Sequence, residues 1–115
     1  MSPRPSGRIE RIRVLNDRFR QWPFPPFGDI FITAGIAGLG WKDQVAVLGK
    51  VRTFEAFTPE NDPHGEHDFG AFEHGGVRYF WKIDYYDLQR VYLSSDPADP
   101  SVTCRILTVM QADEY

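Results

Sequence analysis

A chain of 115 residues with a net charge of −3 has room for one hydrophobic core and no second. An apolar fraction of 42% and an aromatic fraction of 15% exclude a disordered polymer and put most of the buried area on a few large rings. The single cysteine, Cys104, excludes an internal disulfide and a cysteine-based zinc cluster, and it fits a reducing cytoplasm.

The charge is unevenly spread. Residues 1–53 carry nine Lys/Arg against four Asp/Glu, whereas residues 54–115 carry four against twelve. Such asymmetry suits a basic arm for nucleic acid or an acidic face for a basic partner, unless the halves fold together and partly cancel. The longest uncharged stretch, residues 30–41, is too short and too rich in glycine to span a bilayer. No apolar run follows the charges at the N-terminus, so a signal peptide is not expected.

Residues 1–7, rich in Pro, Ser and Gly, predict a flexible lead-in. Ile9, Ile12, Leu15, Phe19 and Trp22 then recur at helical spacing and predict a helix over 8–21, ended by Pro23, Pro25 and Pro26. Arg11 and Arg18 border this stripe on one side, Arg13 and Arg20 on the other, a pattern in which stems lie along the stripe and head groups stay in water. Residues 29–33 read as a strand. The glycines 35, 38 and 40 mark a turn into a second helix over 41–57, with Val47, Leu48, Val51 and Phe54 inward and Trp41 and Val45 on its edge.

Residues 58–66 are polar, with Pro59 and Pro63, and predict a loop ordered by its own hydrogen bonds, Asp62 or Asp68 accepting from backbone N–H groups. Residues 68–73 and 77–86 form a predicted hairpin around His74, Gly75 and Gly76. Its second strand alternates, Val77, Tyr79, Trp81, Ile83 and Tyr85 on one face and Arg78, Phe80, Lys82, Asp84 and Tyr86 on the other. A turn-rich loop at 94–100 leads to a last strand over 102–110. The expected fold is therefore a single α+β domain over 1–115, in the order α-β-α-β-β-β. It has a mostly antiparallel sheet of about four strands with two helices on one face. Ile12, Phe19, Val51, Trp81, Ile83 and Ile106 are its expected core.

Three patterns bear on chemistry. The glycine loop before Trp41 and Lys42 stands where phosphate loops stand, but a P-loop needs lysine directly after its last glycine, and Trp41 is there instead. The densest polar cluster is Glu60, Asn61, Asp62, His64, Glu66, His67 and Asp68, followed by Glu73. Imidazole and carboxylate suit a divalent metal, with His64, His67 and Asp68 as the donors, yet the spacing matches neither a helical zinc motif nor a calcium loop. Asp68, Glu73, Lys82 and Asp84 are the residue types of a metal-dependent nuclease edge, but Phe80 stands where the acidic-x-Lys step needs a carboxylate. Aromatics at 79–81, 85 and 86 could stack on bases, but Asp84 and Asp87 beside them repel phosphate. Phe80 and Tyr86 instead mark a surface for another protein.

Three strings, residues 61–73 (NDPHGEHDFGAFE), 80–87 (FWKIDYYD) and 95–100 (SDPADP), resemble a family of small bacterial proteins classed as a domain of unknown function. The likeness runs from the first helix to Tyr115, and the segment through residues 22–26 is the most individual. The resemblance implies proteins of plasmids and phages, encoded near antirestriction and other mobile-element genes, with no activity and no cofactor attached. Two functions follow. The first is a non-enzymatic protein-binding module, an anti-defence inhibitor whose acidic surface occupies a basic nucleic-acid-handling complex. It binds neither nucleic acid directly nor membrane. The second is a small metal-dependent hydrolase or nuclease centred on residues 62–73. The residues expected to make contact are Asp62, His64, Glu66, His67, Asp68, Glu73, Lys82, Asp84 and Tyr86.

Overall fold

The computed structural model describes residues 7–21 and 27–115; the lead-in at 1–6 and the expected helix stop at Trp22, Pro23, Pro25 and Pro26 lie outside the described residues. Helix α1 runs Arg8–Gln21, strand β1 Gly28–Ile32, a one-turn helix α2 Ala34–Ala37, and helix α3 Trp41–Arg52. Strands β2 (Phe69–His74), β3 (Val77–Tyr86) and β4 (Cys104–Gln111) follow, with short 3-10 turns at Pro100–Val102 and Ala112–Glu114. The α+β class and the element order read from the sequence hold, with α2 added where a plain turn was expected. Ile36 accounts for α2, because one helical turn carries its side chain fully into the core.

Gly75 and Gly76 have φ of 59° and 79°, the left-handed pair that a two-residue hairpin turn demands, and His74 pairs with Val77 across it. The four strands make one sheet in the order β1-β4-β3-β2. The pairings β2–β3 and β3–β4 are antiparallel, and β1 is parallel to β4. Glycine is required where β1 meets β4, since a Cβ on Gly28 would lie 1.6 Å from the Arg105 carbonyl oxygen.

Register puts Tyr79, Trp81 and Ile83 beside Leu107 and Val109 on one face of the sheet. These residues pack with Phe19 of α1 and with Val47 and Val51 of α3, so the two longer helices share that face. All six residues expected in the core are buried. Ile106, however, lies opposite Asp84 and so belongs to the other face, away from the helices.

Helix α3 stops at Arg52 instead of reaching 57. Thr53 turns its hydroxyl back to the Gly49 carbonyl (2.9 Å), and the chain folds over so that the Phe54 ring meets Trp81 edge-on at 5.6 Å and Phe57 at 4.9 Å. Ring packing on Trp81 replaces the missing turn of helix. Trp41 and Val45 are exposed. Among the described residues, no helix is long and apolar enough to cross a membrane.

Candidate functional site

The polar loop 58–68 is fastened to α1 by side chains of both. Within the loop, the Thr58 and Asn61 side chains exchange hydrogen bonds with each other's backbone N–H groups, and Asp62 Oδ1 accepts from the His67 N–H at 3.1 Å. From α1, Arg13 Nη1 donates to the Gly65 carbonyl (3.0 Å) and Asn16 Nδ2 to the Glu66 carbonyl (2.9 Å). His67 takes a positive φ of 56°. Its ring Nδ1 donates to Asp17 at 2.9 and 3.1 Å, its plane stacks on Phe57 at 3.7 Å, and its Nε2 lies 3.6 Å from Asp62 Oδ2. A carboxylate only accepts, so Nδ1 carries the hydrogen.

Beneath this loop lie two buried arginines. Arg20, expected with its head group in water, is instead 2% exposed. Its Nη1 donates to the carbonyls of Val51 (2.8 Å) and Arg52 (3.3 Å), and its Nη2 to Asp17 Oδ1 (3.2 Å). The C-terminus of α3 offers carbonyls beyond the reach of the helix's own i to i+4 bonds and a negative dipole end, which is what draws the guanidinium inward. Burial lowers the Arg20 pKa, and the hydrogen bond to Asp17 opposes that.

Arg105 is fully buried on β4. Its Nε donates to Asn16 Oδ1 (2.7 Å), its Nη2 to the Pro97 carbonyl (2.6 Å), and its guanidinium lies 5.2 Å over the Tyr85 ring. Tyr85 donates its hydroxyl to Glu66 Oε1 (2.7 Å) and accepts from Asn16 Nδ2 (2.8 Å). Burial first, then the bond to Glu66, raises the Tyr85 pKa far above the usual phenol range, so this hydroxyl stays protonated. Burial, with Glu66 nearby, raises the Asp68 pKa as well.

The residues expected to make contact fall into two groups. Asp62, Glu66 and His67 gather with the loop against α1, Asp68 lies near Glu66, and His64 is exposed at the cleft that Arg13 and His67 also line. Glu73, Lys82, Asp84 and Tyr86 lie on the face of the sheet turned away from α1 and α3. Lys82 and Asp84 pair with each other along β3, 2.8 Å apart. This bond holds the Lys82 pKa above its ordinary value. The loop group does not form a metal cage, because no three His, Cys, Asp or Glu side chains among the described residues are grouped to hold an ion. Nor does His67 hydrogen-bond to a hydroxyl or thiol among the described residues, so the pair with Asp17 does not extend to a nucleophile.

Asn16, Asp17 and Arg105 stand in no pattern singled out from the sequence, while Arg20 reads there as a solvated flank of the α1 stripe and Tyr85 as an inward aromatic of β3. A signal was present: Asn16 and Arg20 follow Ile12 at i+4 and i+8, polar residues on the buried face of a helix. Arg105 likewise alternates with Leu107 and Val109 on the buried face of a strand.

A further surface follows β3. The turn at residues 87–93 is tied at its base by the Asp87 N–H to the Tyr92 carbonyl (2.8 Å) and by the Val91 N–H to Asp87 Oδ1 (2.9 Å). Arg90 reaches Asp29 of β1 in an ion pair. On this frame Leu88, Val91, Tyr92 and Leu93 are 57%, 64%, 73% and 75% exposed.

Fold and site together define an α+β protein with a side-chain-locked loop, a sheet face turned away from α1 and α3, and a protruding apolar turn. The chain belongs to the family described as "Protein of unknown function (DUF3768)", which it matches over residues 32–114. Helix α1, which supplies Asn16, Asp17 and Arg20, precedes the matched segment. No curated protein and no solved structure matches the chain.

Proposed function

We propose that this chain is a non-enzymatic protein-binding module. The observation that carries the reading is the 87–93 turn. Four large apolar side chains within six residues stand in water on a hydrogen-bonded frame, an arrangement that contact with a partner would desolvate favourably. The finer reading is an anti-defence inhibitor from a mobile genetic element, seated on a basic nucleic-acid-handling complex. Its support is the likeness of the three strings to mobile-element proteins and the excess of acidic residues after residue 53, with Asp84 and Asp87 close to the turn.

The test is affinity capture of bacterial lysate at low ionic strength on immobilised wild type and on Val91→Ser/Leu93→Ser, with folding checked by circular dichroism. A partner retained by the wild type, released as salt rises and lost with the variant is the expected result. Equal capture by both chains, or a metal-dependent hydrolysis that disappears with His67→Ala, would overturn the reading.

A further inference from the structure

The sheet face turned away from α1 and α3 carries no helix among the described residues. Register orders it into rows across the strands. One row is Asp29, Ile106 and Asp84; the next is Phe31, Thr108, Lys82 and Phe69; the next is Met110, Phe80 and Ala71. Tyr115 lies edge-on to Phe80 at 5.5 Å and near Phe69 at 6.2 Å. Phe31 is 49% exposed, Lys82 and Asp84, about a third exposed, stand as neighbours near the middle of the face, and Ile106 and Met110 are buried within it.

We propose that this face packs on the same face of a second copy, forming a two-fold dimer in which Lys82 of each copy stands opposite Asp84 of the other. The inference goes beyond the protein-binding reading and does not depend on the exposed apolar side chains of the 87–93 turn. The occupant is identified by charge. A two-fold axis lying between the sheets, perpendicular to the strands and level with Ile83, exchanges the Lys82 row with the Asp84 row. Each ammonium then meets a carboxylate of the other copy, and the two intrachain pairs become an alternating ring of four charges. An isolated surface pair stabilises little, whereas a network with fixed geometry stabilises more.

The same rotation places Thr108 over Ile106. It also sets Phe31 over the Asp29–Arg90 pair, whose guanidinium can stack on the ring. Sheets packed face to face lie about 10 Å apart, which leaves room for the two side-chain layers to interdigitate. The same face, rotated about the two-fold axis, offers aspartate opposite lysine and lysine opposite aspartate by symmetry.

Sedimentation velocity on the full chain provides the test, with twice the 13.3 kDa chain mass expected. Lys82→Asp puts four carboxylates around the axis, Asp84→Lys puts four ammonium groups there, and each is expected to weaken the dimer by about tenfold or more. The exchange Lys82→Asp/Asp84→Lys restores alternation and is expected to restore the dimer. If a single reversal fails to fold, Phe31→Glu on the exposed part of the face is expected to give a folded monomer. A monomeric wild type overturns the proposal. So does a dimer unmoved by both reversals, or one that the exchange does not rescue.

Discussion

Replacing Asp17 with Ala tests whether the polar loop is held to α1 by the contacts described. Asp17 accepts from the His67 ring at 2.9 and 3.1 Å and from Arg20 Nη2 at 3.2 Å. Losing the bond to His67 costs about 1.5–3 kcal/mol, as expected for a charged acceptor. Arg20, whose side chain is 1% exposed, loses its ion-pair partner. Stranding a fully buried charge costs about 3–5 kcal/mol. Two features reduce that cost. Asp17 is itself 30% exposed, and Arg20 keeps the Val51 and Arg52 carbonyls. A combined loss of about 3 kcal/mol results, which lowers the midpoint of thermal unfolding by about 12 °C in a domain of this size. Asp17→Asn keeps an acceptor without the charge and should lose less. In a double-mutant cycle with His67→Ala, the two changes should cost about 1 kcal/mol less together than in sum. Urea denaturation followed by circular dichroism measures all four chains. A cost for Asp17→Ala below about 1 kcal/mol, additive with His67→Ala, would refute the clamp.

Three further outcomes follow from the geometry. A Cβ on Gly70 would lie 2.3 Å from Trp81 Nε1, and Trp81 is fully buried, so Gly70→Ala should destabilise by about 1–3 kcal/mol; a variant as stable as the wild type in urea would contradict this. Glu114 accepts from the Thr33 hydroxyl and from the N–H groups of Gln111 and Gly35, which holds its pKa below the ordinary 4.5. The stability this clamp contributes is therefore complete above about pH 4.5 and lost as pH falls through the lowered value, so the difference between wild type and Glu114→Gln in urea should shrink only at acid pH. Gel shifts at low salt should show no tight duplex binding, because Arg13 and Arg20 are committed to backbone carbonyls and the acidic residues repel phosphate. Micromolar binding abolished by Arg11→Ala/Arg18→Ala would make α1 a nucleic-acid arm instead.

Local chemistry made much of this protein legible in its sequence. Alternation along residues 77–86 fixes which side chains of β3 face the helices, since a strand has period two, and Gly75-Gly76 fixes the turn that sets its register with β2. The Asp/Asn/Pro/Gly content of residues 58–68 likewise predicts a loop that bonds to itself, and Asp62 accepting from His67 is that bond. Tertiary structure decided the rest, through partners far apart in the chain. Arg20 reads as a solvated flank until the end of α3, 31 residues on, presents the Val51 and Arg52 carbonyls to its guanidinium. Arg105 and Asn16, 89 residues apart, are compatible with burial because each meets the other and, beside it, the Pro97 and Glu66 carbonyls and Tyr85. Where β1 runs parallel to β4, Gly28 admits the Arg105 backbone, a contact no local pattern encodes. Periodicity assigns a residue to a face, but it cannot say what will cover that face, and for a polar residue the cover decides whether burial is tolerable.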